Sequence, residues 1–189
     1  MSIEDQKKVA DEVLDLIYDL DPFAIVAGGA PRDWYFGKEA TDIDVFFYVS
    51  DRYNSSTKEK LMQRLGLNIT RLGGESLPKG YQLNPNIYSV YECLDYGIPV
   101  QFIMMMDEVW RSAVPNFPMS ICKAWYKDHR IGYDTDFKIS VKHNVVYKTN
   151  DLYADGQSYI QKIRGKFPYP EWNHFCTKEQ ALTYIAMKG

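Results

Sequence analysis

Residues 27–47, "AGGAPRDWYFGKEATDIDVFF", decide how this chain is read. The apolar run "FAIVA" reads as a short buried strand, and Gly28-Gly29 breaks it. Pro31 suits the first turn of a short helix, and Gly37 suits its end. "TDIDVFFYV" then reads as a second strand. Strand side chains alternate between faces, so Asp42 and Asp44 point one way and Ile43, Val45, Phe47 and Val49 the other. Two residues of strand rise set the carboxylates about 6.6 Å apart at the backbone. At an effective dielectric near 20, their repulsion is roughly 2.5 kcal/mol. A divalent cation would relieve it, and oxygen ligands favour magnesium or manganese. The plainer alternative is a solvated strand end carrying two acids.

The residues between the strands bear on the same choice. Backbone N–H groups at Gly28 and Gly29 can face an anion, because missing side chains allow close approach. Arg32 can offer a fork of donors to phosphate. Asp33 can hold Arg32, bind a ribose hydroxyl or favour the start of the helix. A tight strand-to-helix turn is the structural alternative for all four residues.

Working outward, Ser2 and Asp5 form a capping pair for a first helix. Ile3, Ala10, Val13, Ile17 and Leu20 lie on one face of it, and Asp21-Pro22 ends it. Residues 57–65 read as a helix, and "RLGGESLPKGYQLNPN" reads as a loop. "IYSVYECLD" and "IPVQFIMMM" read as a hairpin turning at Tyr96-Gly97, and "FKISVKHNVVYKT" as another. "SICKAWY" is open between strand and helix. Residues 150–164 read as a helix, and Thr177 with Gln180 caps a last one. The expected class is α+β, a small mixed sheet flanked by helices. The expected organisation is a core over residues 1–110 and a small α/β extension over 111–189 packed on it.

Composition narrows the function classes. The 189 residues are 46% hydrophobic and 15% aromatic, enough to build a core. Ile98–Met106 is too short an apolar stretch to cross a bilayer. The charged, amphipathic N-terminus is unlike a signal peptide, and no membrane partner is expected. Three scattered cysteines without a CxxC indicate neither a disulfide framework nor a zinc knuckle, and a reducing cytoplasm is expected. Residues 1–57 hold 5 Lys/Arg and 12 Asp/Glu, whereas residues 58–189 hold 17 and 13. That balance argues against coating nucleic acid by charge alone, and it permits a local basic groove beside an acidic site.

"GGAPRDWYFGKEATDID" resembles the head motif of the DNA polymerase β-like nucleotidyltransferase superfamily. It is closest to the form in CCA-adding enzymes and poly(A) polymerases, GG-x-x-RD followed by G and D-x-D. It also resembles short stand-alone members carried by bacteriophages. The resemblance implies a nucleoside triphosphate substrate, two magnesium (or manganese) ions, and nucleotidyl transfer to a hydroxyl with release of pyrophosphate. It implies that Gly28 and Gly29 cradle the triphosphate, that Arg32 and Asp33 belong to the nucleotide site, and that Asp42 and Asp44 hold the metals. The family's third carboxylate falls on a neighbouring strand, where this chain offers Gln101 in "IPVQFIM". An amide oxygen can ligate a metal, but it adds no charge and cannot act as a base. Glu92, Asp95, Asp107 and Glu108 are the other acidic candidates.

The acceptor expected from the resemblance is RNA, such as a tRNA 3′ end. The basic, aromatic C-terminal part fits it, with Lys162 and Arg164 of "YIQKIRGKF" as the RNA-contact candidates. Transfer to a small molecule or a protein hydroxyl is the alternative that mild acidity favours. A retired, nucleotide-binding relative is the alternative that Gln101 favours.

Overall fold

The computed structural model describes residues 1–50, 60, 62–63, 65–77, 81, 84–150, 161, 163, 165 and 172–188. Helix α1 covers Ile3–Ile17, and the Asp5 N–H donates to the Ser2 hydroxyl at its start. Ala10, Val13 and Ile17 on its inner face are fully buried. The helix ends at Ile17, and Leu20 and Asp21 lie in the turn that closes on the Ile17 carbonyl.

Strand β1 (Ile25–Ala27), helix α2 (Gly29–Tyr35) and strand β2 (Ile43–Tyr48) follow, as the local pattern predicts. Gln6 of α1 ties this unit together. Its side-chain oxygen accepts from the Trp34 indole N–H at 2.7 Å and the Ala40 N–H at 2.9 Å, and its amide donates to the Ala40 carbonyl at 3.0 Å. The segment leading into Asp42 is thereby clamped to α1. Losing the glutamine would leave buried donors unsatisfied, at about 1–3 kcal/mol each.

The remaining described elements are β3 (Ile69–Leu72), β4 (Ile87–Cys93), β5 (Val100–Met105), a one-turn α3 (Val109–Ser112), β6 (Ala124–Lys127), β7 (Arg130–Tyr133), α4 (Thr135–His143), β8 (Val145–Tyr147), β9 (Asn173–Phe175) and α5 (Lys178–Lys188). Strands β1 to β7 form one sheet in the order β3-β4-β5-β2-β1-β6-β7. Within it β2 and β5 are parallel, and the other pairings are antiparallel.

Both faces of the sheet are covered. Ile43, Val45, Phe47, Phe102 and Met104 pack toward α1 and Trp34. Ile25, Ala27, Phe46, Ile103 and Met105 pack toward Val109, Val114, Phe117, Met119 and Phe137. This explains why "IPVQFIMMM" is nearly continuous in apolar residues, since a strand buried on both sides has no solvent face. Every residue of β5 is buried, Gln101 included.

Several expectations are corrected. Arg71 and Leu72, read as loop, belong to β3, which pairs with β4. "FKISVKHNVVYKT" is a helix followed by a strand rather than a hairpin. Asp134 caps α4 by accepting from the Phe137 N–H at 2.9 Å, and Asn144 stops it in the left-handed conformation. Strand β8 then pairs in parallel with β9, almost thirty residues on. "SICKAWY" is a turn of 3₁₀ helix leading into β6. The hairpin of β6 and β7 turns on Asp128 and His129, both at positive φ, which matches the two-residue turn that strand twist favours. Thr177 and Gln180 cap α5 as expected, the Gln180 N–H donating to the Thr177 hydroxyl. Most of residues 57–65 and 150–164 lies outside the described residues. Lys60, Met62, Gln63, Gln161 and Ile163 within them are helical. Among the described residues, no helix is long and apolar enough to cross a membrane.

Candidate active site

Asp44 is the second described residue from the start of the sheet's middle strand, and alternation turns it to the face it shares with Phe46. Strand β5 runs beside β2 with Gln101 opposite Asp44, and β4 runs beside β5 with Glu92 opposite Gln101. Asp44, Gln101 and Glu92 therefore form a row across three strands, on one face. The Gln101 amide N–H points to Glu92 Oε1 at 3.5 Å. Asp42, two residues before Asp44, is half-buried and accepts from the Thr41 hydroxyl at 3.1 Å.

Gly28 adjoins this row. Its φ of +87° lies where L side chains are strained, so glycine is required by the backbone. A Cβ built there would meet Asp44 Oδ2 at 3.6 Å and Phe117 Cζ at 4.0 Å. Gly28 therefore lies within van der Waals reach of the Asp44 carboxylate. The Gly28 N–H donates to the Ala124 carbonyl at 3.3 Å, which anchors the turn to β6. Gly29 begins α2, close to the Arg32 guanidinium.

Arg32 and Asp33 are both buried. Arg32 Nε and Nη2 each lie 2.8 Å from Asp33 Oδ1, and Nη1 donates to the Cys122 sulfur at 3.4 Å. Of the roles open to Asp33, the geometry displays the one in which it holds Arg32. The pair links α2 to the segment before β6.

The structure thus gathers Gly28, Asp44 and Gln101, sets Asp42 two residues before Asp44, and buries Arg32 and Asp33 within α2. Lys162 and Arg164 lie outside the described residues. Glu92 was one of four acidic candidates by sequence, and the pairing of β4 with β5 singles it out. Asp95 bonds the Asn68 N–H beyond the end of β4, and Asp107 and Glu108 lie beyond β5. Cys122 and Phe117 carried no sequence signal, because their approach to α2 depends on chain ninety residues away. Among the described residues, no three or more His, Cys, Asp and Glu side chains are grouped to hold a metal. The donors nearest that chemistry are Asp42, Asp44 and Gln101, all oxygen ligands, with Glu92 beyond.

No protein-family profile matches the sequence, and no curated protein does. Solved structures do match. The Thermotoga maritima CCA-adding enzyme complexed with tRNA superposes with a TM-score of 0.57 at 15% identity, over 94% of this chain and 42% of that one. This is the polymerase β-like nucleotidyltransferase fold. An apo CCA-adding enzyme superposes with a TM-score of 0.58 at 15% identity, again over 94% and 42% of the chains. A tRNA nucleotidyltransferase complexed with a primer tRNA and an ATP analogue gives 0.54 at 13% identity, over 88% and 47%. The chain spans less than half the length of these structures. Within the nucleotidyltransferase fold, the Gly28 turn and the Asp44 row lie at one end of the central strands.

Proposed function

We propose that this chain is a nucleotidyltransferase that moves a nucleotidyl group from a nucleoside triphosphate to a hydroxyl acceptor, with pyrophosphate leaving. The observation that carries the reading is the Asp44–Gln101–Glu92 row beside the glycine turn at Gly28. In the transfer, the acceptor oxygen bonds to the α-phosphorus, the bond from that phosphorus to the bridging oxygen breaks, and the acceptor proton is released.

The donors fit a hard divalent cation. Asp44 Oδ1 is buried, its other oxygen faces the space beside Gly28, and Gln101 adds an amide oxygen. Asp42, Asp44 and Gln101 would hold magnesium or manganese, which when bound activates the attacking hydroxyl and neutralises the leaving pyrophosphate. Gly28 and Gly29 allow the triphosphate to approach the backbone. Arg32, held by Asp33, supports the turn with its positive charge just beneath it. Glu92 is the carboxylate next in the row, two strands or about 10 Å of backbone from Asp44, and it faces the Gln101 amide.

RNA is the acceptor class that the structural neighbours support, since two of them are complexes with tRNA. On this chain Tyr35, Tyr133, Lys138 and Lys142 line a hollow of about 350 Å3, a pairing of rings and cations that suits single-stranded nucleic acid. A second reading, a retired enzyme that still binds nucleotide, is favoured by the neutral Gln101 opposite Asp44.

The test is incorporation of label from each α-labelled triphosphate, with magnesium and total RNA, in parent and Asp44→Asn proteins. Transfer by the parent alone supports the proposal. Magnesium-dependent triphosphate binding without transfer supports the second reading. Neither binding nor transfer by the parent sinks both.

A further inference from the structure

Tyr48 closes the strand that carries Asp44 near its start, four residues or about 13 Å away. At that far end lies a hollow of about 380 Å3 walled by Phe23, Tyr48, Val109, Trp110, Asp21 and Glu108. Phe23 is 64% exposed and Trp110 40%, so two large rings stand open at one rim. The Asp21 carboxylate is buried in the wall, where it accepts from the N–H groups of Phe23 and Tyr48 at 2.8 Å each. These two bonds fix the backbone that carries the Phe23 and Tyr48 rings.

A second hollow of about 140 Å3 shares Asp21 and adds Asp11, Asp15, Asp128, Lys127 and His129 to its walls. Lys127 already donates to the Pro22 and Ala24 carbonyls at 2.7 and 2.8 Å. His129 Nδ1 lies 2.9 Å from Asp11 Oδ2. The described walls of the two hollows therefore present five carboxylates against one lysine, and Arg111 just outside them pairs with Glu108 at 3.3 Å, which leaves the balance acidic. An anionic guest would be repelled. A neutral apolar guest would gain the rings but nothing from the charge.

We propose that the larger hollow binds an organic ammonium ion, its carbon-bearing head against Phe23, Tyr48 and Trp110 and its charge toward Asp21 and Glu108. Ring faces carry negative potential and attract such a cation beyond what area alone gives. The carboxylates add long-range attraction that a neutral guest cannot use. The site does not depend on the Asp44 row, and it stands or falls apart from nucleotidyl transfer.

Choline and its uncharged isostere 3,3-dimethylbutan-1-ol separate charge from shape. In calorimetry with the full chain, choline is expected to bind about tenfold tighter than the alcohol, equivalent to about 1.4 kcal/mol. Trp110→Leu and Phe23→Leu keep apolar contact but remove a ring, and each should erase most of that preference. Glu108→Gln should weaken choline about two- to fivefold, on the scale of a partly exposed charge, and leave the alcohol unchanged. Melting temperatures near the parent's would show that the variants fold, and the three variants act on separate elements. Putrescine and Nα-acetyl-lysine amide, whose ε-ammonium is free, then distinguish a free amine from the lysine side chain of a partner protein, and tighter binding of either agrees with the proposal. Equal affinity for choline and the alcohol, no binding of either, or a choline preference that survives all three variants would overturn it.

Discussion

Gln101→Asp tests the geometry of the row without needing a substrate. Gln101 lies between Asp44 and Glu92 on neighbouring strands, so an aspartate there gains an acidic neighbour on each side. At about 6 Å and an effective dielectric near 20, each carboxylate pair repels by about 2.8 kcal/mol. Asp44 and Glu92 are half-buried, so water and salt screen part of this, and about 2–4 kcal/mol in total is expected. Gln101→Asn is the reference, because it has the same shape without the charge. For a chain of this size 1 kcal/mol shifts the melting temperature by about 2–4 °C, so the aspartate variant should melt roughly 4–16 °C below the asparagine variant at pH 7. The repulsion raises the folded-state carboxyl pKa above its unfolded value near 4, so the penalty is full at neutral pH and vanishes once both states are protonated at lower pH. Magnesium should narrow or reverse the gap, because ion binding to the folded state alone stabilises it. Equal melting of the two variants at pH 7, with and without magnesium, would refute the row.

Other outcomes follow from single contacts. Asp44→Asn should abolish magnesium-dependent triphosphate binding in calorimetry while the melting temperature holds or rises. Arg32→Ala should cost about 3–5 kcal/mol in urea unfolding, because Asp33 is left buried without its cation. Gly28→Ala should cost about 1–3 kcal/mol through its left-handed backbone, because the added methyl itself would make only ordinary contacts with Asp44 and Phe117. Burial alone would raise the Asp136 carboxyl, but hydrogen bonds from Lys178, Lys123 and Tyr147 outweigh it and hold the group below the usual carboxylate range. The stabilisation is present above the unfolded pKa near 4 and is lost as pH falls through the lower folded value, so the urea-measured deficit of Asp136→Asn should shrink between pH 7 and pH 3.

The segment from β1 to β2 was legible because its signals are local. A glycine pair after an apolar run, a proline in the first turn and alternating acids act within a few residues of one another. The caps at Ser2 and Thr177 are legible for the same reason. Where two segments meet across the chain, local pattern has nothing to say. "FKISVKHNVVYKT" alternates well enough for a strand, yet Asp134 and Asn144 bound it as a helix, and β8 takes its partner from β9. The sequence alone determined that Gly28 and Asp44 would stand together, since one short helix joins their neighbouring strands. Only the tertiary structure decided that Gln101 faces Asp44, that Glu92 stands next in the row, and that Arg32 is buried against Asp33 and Cys122. Register between distant strands and contact between distant segments are set by how two cores pack against the two faces of one sheet, and that packing energy belongs to the whole chain.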